Sequence, residues 1–405
     1  MKKKVIPIKI AHISDIHQGL GYPGPSPSSR FEDINRILDW TADRIIAEKV
    51  DLCLICGDLY KDAKVMFDRG TEETICVGNW LRKLSSAGIE VIVISGTPGH
   101  DSLAGYKFLE QMQIPHVSIR TQPGIIPYIP EVSIACLPGL NRSALLTQDE
   151  YKGLPPEQVH RIMTDKISQL CMGMSAQMPD DKPKILMAHI TYQGADTGFA
   201  DLLMQNEPIL TREAVSGFDL VCLGHIHRPQ QIEGKVFYPG PIERLSFNEE
   251  DITPGFWIHE ISDISNSGNT VESEFIETPA RRFYTIEWNE TAILHFLNHG
   301  TNGFNSSFAD SIRDAIVRLH YSCSEEIAKQ INRKALEQSL YDAGCFYVSE
   351  IKADVQRVDR ARDTEVTESL TPVDAVAKWA DNQGIEPEES KALCAMTAEL
   401  LESGV

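Results

Sequence analysis

Up to about residue 250 the chain alternates short runs of Val, Ile and Leu with longer stretches whose apolar residues recur at helical spacing. That alternation predicts an α/β fold. Strands are expected at 5–10, 51–56, 90–95, 132–137, 184–188 and 218–223, and helices at 32–48, 71–87 and 156–174. A boundary falls near Thr278-Pro279-Ala280-Arg281-Arg282. Beyond it, strands at 283–288, 315–321 and 346–351 with a helix inside 325–343 predict a small α+β module. After Asp354 comes a polar, charge-rich linker, and then Thr371-Pro372-Val373-Asp374, which places a capping hydroxyl, a proline at the first helical position and an acid at the third. A last helix at 386–401 carries Leu393, Met396 and Leu400 on one face. The expected division is therefore 1–280, 281–356 and 357–405.

The residues just past the strands carry the chemistry. Asp15 and His17 follow the first strand, Gly57-Asp58 the second, Gly96-Thr97-Pro98-Gly99-His100-Asp101 the third, His189 the fifth and Gly224-His225-Ile226-His227 the sixth. Ligands of open α/β sheets bind outside the carboxyl ends of strands, so these groups are placed to converge. With 12 histidines in the chain, any single Asp-x-His or His-x-His pair is weak. The ordered set is not. Mixed imidazole and carboxylate ligands suit manganese, iron or zinc, and two such ions roughly 3.5 to 4 Å apart can hold both a hydroxide and a phosphate oxygen. Glycine next to a ligand, as in Gly57-Asp58 and Gly224-His225, lets the backbone turn sharply.

Composition narrows the setting. A chain of 405 residues allows a full α/β core plus smaller modules. The formal charge of −20 argues against a generally basic nucleic-acid surface, although ions held by carboxylates can still present positive charge to phosphate. Nine irregularly spaced cysteines describe no disulfide framework, and Cys53 and Cys56 lie in an apolar run where thiols pack as core. No window suits a membrane span, so a soluble, cytoplasmic protein is expected. The chain shows no GxxxxGK[ST] phosphate loop, so any ATP dependence would come from a partner.

The segments HISDIHQG, DLCLICGDLY, ISGTPGHDS, LMAHITY, CLGHIHRPQ and YPGPIERLSFNEED, in this order, resemble the successive motifs of the calcineurin-like metallophosphoesterases. Within them the chain is similar to the SbcD exonuclease subunits and their eukaryotic double-strand-break repair relatives, strongly over residues 6–290 and more weakly beyond. The resemblance implies a four-layer α/β/β/α sandwich with an α+β cap and a helical tail. It implies Asp15, His17, Asp58 and His227 around one ion, with Asp58 bridging to a second held by His189 and His225. His100 would stabilise the transition state or protonate the leaving 3′ oxygen, and Asp101 would orient that imidazole or support its loop. The family's Gly-Asn-His-Asp is replaced here, so the usual asparagine ligand is absent and Thr97, a backbone carbonyl of the Thr97 to Gly99 turn or a water is left to fill its place. Arg30, Arg69, Arg142 and Arg244 are candidate contacts to DNA phosphates, with solvated arginine the competing reading. The implied function is a manganese-dependent DNA exonuclease and endonuclease, a homodimer working with an SbcC-like coiled-coil ATPase. Val373, Val376, Trp379, Leu393, Met396 and Leu400 are the expected anchors for that partner. Alternatives are a phosphatase or cyclic-nucleotide phosphodiesterase on the same fold, or a non-catalytic scaffold.

Overall fold

The structure is a computed structural model and describes residues 7–63, 71–99, 101–127, 129–140, 153–198, 207–264, 268–356 and 370–403. The first half builds β1 (Ile8–Ile13), α1 (Ser29–Ala47), β2 (Leu52–Cys56), α2 (Thr71–Ser86), β3 (Glu90–Ile94), α3 (Leu103–Gln111) and β4 (Val117–Arg120). These four strands are parallel neighbours, joined by helical crossovers. Of the strand expected at 5–10, residues 5 and 6 lie outside the described residues. The described strand extends to Ile13, with Ile10–Ile13 in parallel register against Leu52–Ile55.

A second sheet follows, with β5 (Gly124–Ile125), β6 (Ser133–Leu137), α4 (Pro156–Gln177) and β7 (Lys184–His189). Two short strands, β8 (Thr191–Tyr192) and β9 (Ile209–Leu210), pair with each other, and β10 (Leu220–Gly224), β11 (Gln230–Ile232) and β12 (Val236–Tyr238) complete the sheet. The hairpin β13 (Gly255–Ile264) and β14 (Gly268–Glu277) then returns to the first sheet and pairs antiparallel with β1. The orders are β14-β13-β1-β2-β3-β4 and β11-β12-β10-β7-β6-β5.

Side-chain alternation produces the layers. Ile10, Leu52, Leu54, Ile92 and Ile94 of the first sheet pack against Ile134, Ile185, Met187, Leu220 and Phe237 of the second in one buried cluster. The intervening residues face outward: Ala11, Cys53, Ile55 and Val91 meet Ile34, Ile37, Leu38, Leu81 and Leu84 of the helices. On the far side Leu186, Ala188, Val221 and Leu223 meet Ile167, Cys171 and Met174 of α4. The result is the expected α/β/β/α sandwich, whose central strands are buried on both faces and therefore read as continuous apolar runs.

The chain forms two compact units, one of residues 1–321 with 332–352, the other of 322–331 with 353–405. In the first, β15 (Phe283–Trp288) pairs parallel with β16 (Ile316–Ser324) in a three-stranded sheet completed by β17 (Tyr347–Gln356). In the second, Thr371 caps the helix Pro372–Asn382 by accepting from Asp374 N, and the helix Pro387–Ser403 packs beside it. Among the described residues no helix is long and apolar enough to cross a membrane.

Candidate metal centre

The strand-end residues meet where β1, β2, β7 and β10 terminate. Their backbones are unusual: Asp15, His17, Asp58 and His225 all have positive φ, at 53°, 49°, 47° and 99°. Non-glycine residues rarely occupy this region, and strain of this kind persists only where surroundings impose it. Here the cross-strand bonds Asp15 N to Gly57 O (3.1 Å), His17 N to Asp58 O (3.0 Å) and Gln18 N to Leu59 O (2.9 Å) hold the two strand ends together past the sheet.

Glycine permits the closeness. Gly57 has φ +87°, and a Cβ there would lie 2.3 Å from His189 Nδ1. A Cβ on Gly96 would lie 1.9 Å from Asp58 Oδ1. Both turns therefore need glycine to let the ligands approach.

Two sets of potential ligand atoms gather at these strand ends, each within 4.8 Å: Asp15, His17 and His227, and Asp15, Asp58 and His189. His17 Nε2 and His227 Nε2 are 3.2 Å apart, and His227 Nε2 is 3.7 Å from Asp15 Oδ1. Asp58 faces both sides, with Oδ2 3.7 Å from His17 Nε2 and Oδ1 3.3 Å from His189 Nε2. Ligands on one ion at about 2.0 to 2.2 Å stand roughly 3 Å apart, so this spacing fits. The buried His189 Nε2 has no hydrogen-bond partner, while its Nδ1–H donates to Cys56 O at 2.8 Å. His227 likewise gives Nδ1–H to Glu249 Oε1 at 2.7 Å. In both rings the outer nitrogen is engaged and a lone pair is left for an ion, the arrangement metal-binding histidines use.

Electrostatics agree with a cation site. Burial pushes the His189 imidazole down, yet the Asp58 and Asp15 carboxylates outweigh it and its pKa rises to about 10. Burial is similarly outweighed at His227 by Glu249 and Asp15, and its pKa rises to about 9. At His17 burial prevails over Asp58 and the pKa falls. The carboxylates thus hold positive charge in the centre as protons, which divalent ions would displace.

His225 lies beside this group but in neither set. Its ring centroid is 5.2 Å from that of His189, its backbone N–H donates to Asp15 (3.1 Å to Oδ1), and its Nε2 meets Glu207 Oε2 at 2.8 Å. Asp101 supports the loop: its carboxylate accepts from Tyr60 N (3.1 Å), Ser102 N (3.0 Å), Gly96 N (2.8 Å) and Tyr106 OH (2.6 Å). Burial, with the nearby Asp58 charge, lifts its pKa to about 6. Thr97 N–H donates to Asp58 Oδ1 at 2.9 Å, and Thr97 O accepts Asp101 N at 2.8 Å. That carbonyl, one of the groups expected to replace the asparagine, is already engaged within its own turn. Gly99 follows in the same turn, with open space where a Cβ would stand.

His100, Arg69 and Arg142 lie outside the described residues. Arg30 is a correction: it is 0% exposed, bonded to Asp33 Oδ2 at 2.6 Å and 3.2 Å from Glu243 Oε1, with the Arg244 carbonyl on its other nitrogen. It braces α1 against the segment after β12 and has no surface to offer DNA. Arg244 is half-buried and donates to Arg281 O at 3.2 Å. Glu207 and Glu249 escape a reading of the sequence, since a glutamate in a polar segment carries no local signal; Glu249 lies in the ERLSFNEED segment, which stands out for its family likeness alone.

Residues 8–229, the stretch holding every expected ligand, match the family described as calcineurin-like phosphoesterase. The D subunit of the nuclease SbcCD from Staphylococcus epidermidis is 29% identical over 301 residues, covering 71% of this chain and 74% of that protein. Its counterpart from Staphylococcus saprophyticus is 26% identical over 307 residues, 70% of this chain and 72% of that one. A crystal structure of a dimetal phosphatase from Danio rerio is 10% identical, with a TM-score of 0.39, covering 68% of this chain and 99% of that chain. With more than half of the sequence matched, this chain belongs to the calcineurin-like phosphoesterase family.

Proposed function

We propose that this phosphoesterase is the nuclease subunit of an SbcCD-like complex and cleaves DNA phosphodiesters with two divalent ions, manganese foremost. The observation that carries the reading is the Asp58 carboxylate facing His17 on one side and His189 on the other, with Asp15 common to both ligand sets. The likeness to the SbcD subunits of two SbcCD nucleases over about seven tenths of the chain supports a nucleic-acid substrate.

Divalent ions held there would lower the pKa of a shared water and neutralise charge on the phosphoryl oxygens. Asp15, His17, Asp58 and His227 would hold one ion; Asp58, His189 and His225 would hold the other. Asp101 fixes the loop that precedes α3, and His100 on that loop protonates the leaving 3′ oxygen or stabilises the transition state. Partner binding falls to the helices Pro372–Asn382 and Pro387–Ser403, where Trp379 and Met396 are 51% and 61% exposed and Val373, Val376 and Leu393 are half-buried. A coiled-coil ATPase docked there would supply ATP hydrolysis, and the assembly would be built on a homodimer.

The test gives purified protein and Mn²⁺ linear duplex DNA, an aryl phosphate diester and an aryl phosphate monoester. Degradation of DNA is expected. Turnover of the monoester alone would make the protein a phosphatase, and silence on every substrate, with or without an ATPase partner, would make it a scaffold.

A further inference from the structure

Both histidines of Gly224-His225-Ile226-His227 have a glutamate on one ring nitrogen, but the two nitrogens differ. His227 uses Nδ1, with Glu249, and turns Nε2 inward to His17. His225 uses Nε2, with Glu207 Oε2 at 2.8 Å. An ionised carboxylate only accepts, so the proton between His225 and Glu207 belongs to Nε2, and the neutral ring keeps its lone pair on Nδ1.

The fold puts Glu207 there by construction. β8 begins two residues after His189, and its parallel partner β9 begins two residues after Glu207, with Thr191 opposite Ile209 and Tyr192 opposite Leu210. The same offset carried back two residues brings Glu207 level with His189, beside which the His225 ring stands. The pair is anchored further by Gln193 N to Leu210 O (2.9 Å) and by Ile209 N to Thr164 Oγ1 (3.3 Å) on α4.

We infer that Glu207 is a positioning residue of the metal centre: its carboxylate fixes the His225 ring and its tautomer so that Nδ1 serves the ion shared with Asp58 and His189. This rests on the reading of the site as a two-ion centre. It gives this chain a device on the side where the asparagine is missing and where the Thr97 carbonyl already accepts from Asp101 N–H. A ring fixed in advance loses less freedom when an ion arrives, and removing such outer partners of metal-binding histidines typically weakens affinity about 10- to 100-fold.

The experiment titrates Mn²⁺ into the full-length wild type, Glu207→Ala, Glu207→Gln, His225→Ala and the Glu207→Ala/His225→Ala double variant. Calorimetry reads the affinities, and electron paramagnetic resonance reads the spin-coupled signal of neighbouring ions. The wild type is expected to bind two ions. In Glu207→Ala one of them should weaken about 10- to 100-fold with a matching loss of coupled signal, while the other is unchanged. Glu207→Gln should stay within a few fold of wild type, since its amide oxygen still accepts from Nε2–H. The double variant should bind no more weakly than His225→Ala, because Glu207 acts through that ring. Wild-type affinities in Glu207→Ala would overturn the proposal; Gln as damaging as Ala would make the carboxylate itself a ligand and overturn it too. A wild type that holds fewer than two ions would instead overturn the two-ion reading on which it stands.

Discussion

At the residue scale, the site is a set of side chains on backbone that resists its own conformation. Four of the six expected ligands sit at positive φ, so their geometry is imposed by the strand ends and by glycines with no room for a Cβ. His189→Ala and His227→Ala should each lower phosphodiesterase turnover by on the order of a thousandfold, since each removes an ion's ligand and with it the activated water. Circular dichroism should show the fold intact, and full turnover in either variant would remove that residue from the centre. Gly96→Ala should act without replacing a ligand, by crowding one: its Cβ would fall 1.9 Å from Asp58 Oδ1 and 2.3 Å from Asp58 N. Overpacking of this kind costs about 1 to 3 kcal/mol, and denaturant unfolding together with weakened Mn²⁺ binding would display it. Wild-type values in both measurements would mean that the loop yields freely.

Protonation follows from the same residues. The pKa values of about 10 at His189 and about 9 at His227 lie above the ordinary 6.5, so each proton stabilises the folded, chelator-treated protein fully below about 6.5. That contribution is lost as pH rises through the folded values. Metal must displace these protons, so Mn²⁺ affinity should climb from pH 6 to pH 8.5, and binding at neutral pH should release on the order of two protons. Calorimetry in buffers of different ionisation heat reads this number. A binding heat independent of buffer would show that both rings are already neutral.

At the element scale, the parallel strands were readable because burial on both faces makes them continuous apolar runs, and the helices between them because of their 3.6-residue spacing. The hairpin of β13 and β14, ten residues each, was not, since long polar-apolar alternation through Glu272, Ser273 and Glu274 resembles a solvated segment until β1 is present to pair with it. The first tail helix is legible in the Thr371 cap and Pro372 and the second in the spacing of Leu393, Met396 and Leu400, all local signals. Deleting residues 371–405 should leave Mn²⁺-dependent cleavage of small diesters within about twofold, because the deleted helices lie outside the unit that carries the ligands. It should abolish co-purification with a coiled-coil ATPase partner. A complex that survives the deletion would place the docking surface elsewhere.

At the scale of the larger unit, a buried charge network joins the sandwich to the small sheet. Arg281 Nε and Nη2 bond Asp33 at 2.8 and 2.7 Å, Nη1 reaches Asp314 Oδ1 at 2.6 Å, and the guanidinium lies 3.6 Å from the Phe346 ring centroid. Burial would raise the Asp33 carboxyl, but Arg281 and Arg30 hold it below its ordinary range. Arg281→Met should cost about 3 kcal/mol in denaturant unfolding, because it strands part of a buried carboxylate's charge. A change under about 0.5 kcal/mol would show that Arg30 alone suffices. The sequence by itself determined the α/β pattern and most strand positions and marked the expected ligands, since runs, caps and ligand–glycine motifs are local in the chain. Tertiary structure decided that Arg30 is a buried brace whose bond to Arg244 spans 214 residues, that Glu249 serves His227, and that Glu207 stands beside His225. Those outcomes depend on strand register and on which distant charges share one low-dielectric interior, and neither leaves a periodic trace in the residues that take part.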